Sequence, residues 1–122
     1  MGVINLTFAR EIAFAEHMKH IAVVTTIGGL AEAQSMARAL VERKLAACVQ
    51  ISEIESFYTW NGAVQNEKEF RVLFKTTSER YQAVEDAIRE LHSYELPAIH
   101  AFAFEHVYAP YAAWIETNSP GK

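Results

Sequence analysis

Asn61-Gly62 stands between two long stretches of extended-type residues, and no other feature of this 122-residue chain limits its fold as strongly. Asn-Gly is the favoured centre of a type I′ turn, because both central positions of that turn need positive φ. With "SFYTW" (56–60) before it and "AVQNEKEFRVLFK" (63–75) after it, the dipeptide predicts a long β-hairpin. A chain of this length has no material for two independent cores. Everything else must therefore pack against the hairpin within one domain.

The flanking segments supply the partners. "IAVVTTI" (21–27) is a β-branched run stopped by Gly28-Gly29 and reads as the first strand. Residues 30–44 place Leu30, Ala33, Ala37, Leu40 and Val41 on one stripe, a helical period. "LAACVQI" (45–51) is an apolar run that leads into the hairpin. "TSERYQAVEDAIRELH" (77–92) opens with a capping-box signal at Thr77 or Ser78 and puts Tyr81, Val84, Ile88 and Leu91 on one helical face. "AIHAFAFEHVY" (98–108) predicts a fourth strand, and "PYAAWIETN" (110–118) a short helix with proline in its first turn. The order βαββαβ plus a helix is that of an α+β, ferredoxin-like fold: an antiparallel sheet with both main helices on one face. The domain is expected over 20–118, with a tail at 119–122 and an extension at 1–19.

That arrangement leaves the second face of the sheet bare, yet "FRVLF" (70–74) and "AFAF" (101–104) carry large apolar groups on both sides of their strands. A half-exposed sheet should instead alternate apolar with polar. The simplest cover is another copy of the chain in a ring-closed homo-oligomer. In the extension, Ile4, Phe8, Ile12 and Ala15 recur at near-helical spacing, which permits a short amphipathic helix. Met18 is an alternative start. No basic segment followed by an apolar core and a small-residue cleavage site marks the N-terminus for secretion. The longest apolar runs also fall far short of a membrane span.

Eleven basic against fifteen acidic residues leave a net charge of -4, without a run of Lys or Arg, so a nucleic-acid partner is not expected. The lone Cys48 cannot form an internal disulfide, which points to a reducing compartment and hence the cytoplasm.

Polar chemistry concentrates in "LHSYELPAIH" (91–100), where a helix should turn into a strand. His92 and Glu95 offer one borderline and one hard ligand, a pair suited to Cu(II) or Zn(II) if a neighbouring subunit completes the shell. Helix capping is the plainer role for His92. Tyr58, Trp60 and Tyr94 are aromatic groups at element ends, able to plug the core or to wall a cleft. His100 shares strand parity with Phe102, Phe104 and His106, so histidines would bracket an apolar stripe. His17 and His20, three apart, could clamp a metal on a helix. Gly28-Gly29 reads as a plain turn, since no phosphate-binding glycine motif is present. Cys48, inside an apolar strand, reads as a small hydrophobe.

"VVTT", "ARALVERKLAACV", "FYTWNG" with Glu69, "FKTT", "HSYELPAI" and "YAAW", in this order, resemble the CutA divalent-cation tolerance family over roughly residues 21–116. The resemblance implies a non-enzymatic, cytoplasmic homotrimer of ferredoxin-like subunits whose long hairpins reach over neighbours. It associates the chain with tolerance to divalent metals, copper especially, and with an architecture similar to PII signalling trimers. Carried over, Tyr58, Trp60, Lys75, His92, Tyr94 and Glu95 would line a cleft between subunits. In that cleft Lys75 would face an anionic ligand, Glu95 would anchor, and the aromatics would form a wall. Copper-binding members place a cysteine where this chain has Thr25 and a histidine pair where it has Leu91-His92. Only His92 is retained as a metal ligand, which implies weak binding. Ser93 replaces a usual proline, which implies a looser corner.

Three functions follow as expectations. The first is a metal-tolerance protein that binds a divalent cation such as Cu or Zn weakly and needs none to fold. The second is a PII-like signalling module whose cleft takes a small anion or a partner's loop. The third is an enzyme using His92 or Glu95 as acid or base, which has the least support.

Overall fold

In the computed structural model, which describes residues 19–120, the elements run β1 (His20–Ile27), α1 (Leu30–Glu42), β2 (Cys48–Trp60), β3 (Ala63–Thr77), α2 (Tyr81–Leu91), β4 (Ile99–Ala103) and α3 (Ala109–Asn118). The four strands form one sheet in the order β2-β3-β1-β4. Every pairing is antiparallel: His20 to Ile27 run against Thr77 to Phe70, Ile21 to Thr25 against Ala103 to Ile99, and Cys48 to Trp60 against Lys75 to Ala63. The α+β, ferredoxin-like order expected from the sequence is present. The amphipathic segment at Ile4, Phe8, Ile12 and Ala15, and His17 with it, lie outside the described residues.

Residues that alternate along each strand divide between two faces. On one face Ile21, Val23, Val72 and Phe74 meet Ala33, Met36 and Leu40 of α1 and Val84, Ala87 and Ile88 of α2. Full burial of each larger side chain in this set contributes about 1.5–3 kcal/mol. The stripe of α1 therefore runs through Met36, while Leu30 and Val41, expected on it, are 46% and 42% exposed.

The second face is not left wholly bare. His20, Ala22 and Lys75 lie on it, and α3 reaches two of them: His20 Nε2 is 2.6 Å from a Glu116 oxygen, and Lys75 Nζ donates to Tyr111 Oη at 3.2 Å. Ala22 and Val24, on the same face, are 4% and 2% exposed. The chain's own C-terminal helix thus supplies part of the cover that sequence reasoning assigned to other copies. Phe102, farther out on β4, remains 53% exposed.

The larger departures from the expected boundaries each have a local reason. Helix α1 ends at Glu42 rather than 44 because Lys44 turns left-handed at φ 59. Helix α2 begins at Tyr81, after a 3₁₀ turn at Ser78–Arg80, and Thr77 makes no side-chain capping bond. Instead the Ser78 N–H donates to the Lys19 carbonyl, which prolongs the strand ladder by one bond. Strand β4 stops at Ala103 rather than 108, because its partner β1 begins at His20, whose carbonyl accepts from Phe104 N–H. His106 therefore falls beyond the strand and does not close the stripe of His100 and Phe102.

The predicted turn is present, with Asn61 at φ 52 and Gly62 at φ 77. Strand β3 has β1 as a second neighbour only from Phe70 onward, so 54–60 and 63–69 pair with each other alone. At ~3.3 Å per residue this two-stranded arm projects about 23 Å. Among the described residues no helix is long and apolar enough to cross a membrane.

Candidate functional site

After Leu91 the chain leaves helical geometry, His92 adopting φ -84 and ψ 139. The corner that follows is fastened at several points. His92 Nδ1 accepts from the Tyr94 N–H at 3.1 Å, so the ring proton resides on Nε2, which donates to the Thr26 carbonyl at 2.8 Å. Ser93 donates its N–H and its hydroxyl to the two oxygens of Glu32 on α1, each at 3.0 Å. Proline has no N–H to give, so Ser93 ties the corner down rather than loosening it. Tyr94 then turns its ring to 4.8 Å from that of His92 and donates its hydroxyl to Glu69 Oε2 at 2.7 Å.

The facing wall is the hairpin arm. A two-residue turn at 61–62 pairs Tyr58 with Gln65, Ser56 with Glu67 and Ile54 with Glu69. Directly paired residues share a face, so Tyr58, Glu67 and Glu69 stand on one side of the ribbon. Tyr58 Oη donates to Glu67 Oε1. Between arm and corner lies a cleft of about 680 Å³, lined by Tyr58, Trp60, Glu67 and Glu69 on one side and Tyr94, Glu95 and Leu96 on the other.

The cleft is anionic in character. Three carboxylate side chains, Glu67, Glu69 and Glu95, line it, and none of its lining residues is basic. Glu69 is 6% exposed, with the Tyr94 hydroxyl as its hydrogen-bond donor and no ion pair among the described residues. A carboxylate removed from water without a cation is costly, and such groups are normally paired or bound to a metal. Burial, then the hydrogen bond to Glu69, pushes the Tyr94 phenol well above its ordinary range. The hydrogen bond to Glu67 raises Tyr58 as well.

Four of the six cleft residues expected from the sequence, Tyr58, Trp60, Tyr94 and Glu95, are thus brought together in one chain. Two are not. Lys75 sits six residues along β3 from Glu69, bonded to Tyr111 with its ammonium 5.3 Å from the ring centre. His92 stands behind Tyr94, with both ring nitrogens engaged. Thr25, at the position of the implied cysteine, is fully buried among the apolar residues on the helix side, and its hydroxyl has no hydrogen-bond partner among the described residues. Cys48 is half-buried opposite Lys75, and His20 is held by Glu116. Among the described residues no group of three or more His, Cys, Asp or Glu is placed to hold a metal ion by itself. Glu67 was not singled out from the sequence. The signal was nonetheless there, because counting outward from Asn61-Gly62 pairs it with Ser56, beside Tyr58.

Comparison with known proteins bears on this arrangement. The family described as CutA1 divalent ion tolerance protein matches residues 21–118. The divalent-cation tolerance protein CutA of Archaeoglobus fulgidus is 38% identical over 97 residues, 80% of this chain and 95% of that protein. Its counterpart in Thermotoga maritima is 37% identical over 98 residues, 80% of this chain and 97% of that one. Among solved structures, the CutA1 of a psychrotrophic Shewanella superposes with a TM-score of 0.81 at 35% identity, covering 85% of this chain and 98% of that one.

Proposed function

The chain belongs to the CutA1 divalent ion tolerance family, and on that premise we propose that it binds divalent cations weakly, copper among them, in the cleft between the hairpin arm and the 92–98 corner, without catalysing a reaction. The observation that carries this reading is Glu69, a buried carboxylate with a phenol for a donor and no ion pair among the described residues. Glu67 stands two residues away on the same face and is likewise held by a phenol. Carboxylate and phenol oxygens suit hard or borderline divalent ions, and the scarcity of nitrogen and sulfur donors explains weak rather than tight binding.

The same reading makes the working unit a homotrimer. An isolated two-stranded ribbon is at best marginally stable in water, and this one exposes Phe57 at 68% and Val64 at 76%. Neighbouring copies would cover the arm and add the donors that one chain lacks.

The signalling alternative, with a small anion in the cleft, has less support, because three carboxylates line the cavity and Lys75 is engaged elsewhere.

Calorimetric titration of the metal-free protein with Zn²⁺ and Cu²⁺ tests the proposal. Saturable binding is expected, weakened ~10-fold or more in Glu69→Gln, with the fold retained. No heat above dilution for either ion rejects it.

A further inference from the structure

We propose that His92 is the positioning residue of this cleft, a buckle locked in one tautomer that sets Tyr94 against Glu69, and is not one of its metal ligands; the inference rests on the cation-binding reading above. A neutral imidazole has one donor and one acceptor, and here both are used inside the protein. Nδ1 accepts from the Tyr94 N–H at 3.1 Å, and Nε2 faces the Thr26 carbonyl at 2.8 Å. Metal coordination through Nδ1 strands a backbone N–H. Coordination through Nε2 strands a carbonyl of β1. In either case a partly buried polar group loses the partner it has here.

The two bonds have different consequences. The Nε2 bond fastens the end of α2 to β1 across 66 residues of sequence. The Nδ1 bond bends the chain over two residues, as an asparagine side chain does when it accepts from the N–H two residues ahead. That bend turns the Tyr94 ring to 4.8 Å from the imidazole and brings its hydroxyl to Glu69, 25 residues away. His92 acts on the cation through Tyr94 and Glu69, as outer partners orient the ligands of a metal site.

The geometry separates a buckle from a ligand by substitution. Asparagine at 92 presents an oxygen where Nδ1 stands, keeping the bend and losing the bond to Thr26. Alanine loses both. With Zn²⁺ alone as the probe, His92→Ala is expected to lose ~10-fold or more in affinity, whereas His92→Asn stays within about fivefold of the parent. Imidazole ¹⁵N spectra of the full chain should show the Nε2–H tautomer, with Nδ1 accepting, both before and after saturation with Zn²⁺. A His92 ring nitrogen that moves to the metal-bound range on adding Zn²⁺ overturns the proposal, as does an asparagine variant as weak as the alanine one. If His92→Ala does not fold, the asparagine variant and the spectra still decide. If the parent binds no Zn²⁺ at all, the cation reading fails on its own, and the metal-free spectrum judges the buckle. A single Nε2–H form with a slowly exchanging Tyr94 amide upholds it, and a mixture of tautomers refutes it.

Discussion

Tyr94 is constrained on every side that can be named. Its N–H is held by His92, its hydroxyl by Glu69, and a Cβ added at Gly28 would stand 3.1 Å from Tyr94 Oη. A side chain at Gly28 would therefore press on this phenol, which lies against the turn read from the sequence. The electrostatics follow with a definite sign. The native phenol is raised above its ordinary 10.0, by burial first and then by the bond to Glu69. As pH rises, the unfolded chain gives up this proton before the folded one does. Tyr94 contributes its full share of stability below about pH 10, and that share is lost as pH climbs from there toward the native value. Urea midpoints measured across this range should fall more steeply in the parent than in Tyr94→Phe. Gly28→Ala should displace the hydroxyl by a few tenths of an ångström, so tyrosinate absorbance should report Tyr94 ionising earlier than in the parent. An unchanged titration in that variant contradicts the close packing at Gly28.

At the level of elements, the hairpin decides most. Its turn has both central residues at positive φ, and because the ladder runs without a bulge from the turn to Lys75, that single turn sets which side chains face the cleft. Gly62 sits at φ 77, where a side chain is strained. Gly62→Ala is expected to lower stability by about 1 kcal/mol in denaturant unfolding. Loss well below that size argues that the turn relaxes into another type. Helix α3 is the element whose importance was least visible in the sequence. Its short apolar pattern identified a helix but not its place on the second face, where His20, Lys75, Tyr111 and Glu116 now meet. The 3₁₀ turn at Ser78–Arg80 was missed for a related reason: capping propensity is local, while the bond from Ser78 to Lys19 belongs to the sheet.

For the molecule as a whole, the apolar groups left exposed after α3 docks are the prediction. Phe57 and Val64 on the arm and Phe102 on β4 are 68%, 76% and 53% exposed. Light scattering on the eluting peak should give three times the 13.7 kDa chain mass. Phe102→Glu combined with Val64→Lys should shift the peak toward the single chain, since each puts a charge where a neighbour's apolar surface is expected. A parent that elutes as a monomer at micromolar concentration removes the homotrimer from the proposed function, and leaves the arm's exposed side chains without an account.

What could be read along the chain was whatever repeats locally. The β-branched run "IAVVTTI", the helical faces within 30–44 and 77–92, and the Asn61-Gly62 turn each announce themselves within a few residues, because strand, helix and turn geometry each favour residues that can be recognised locally. Together they determined the order of the elements and the antiparallel sheet, and through the turn they already implied that Glu67 and Glu69 share a face with Tyr58. Only the folded chain decided what those side chains do. Whether His92 has a nitrogen to offer depends on a carbonyl 66 positions earlier, and whether Glu69 has a partner depends on a tyrosine 25 positions later. Hydrogen bonds of that reach are set by where the sheet and the corner bring distant backbone together, and no local pattern encodes that distance.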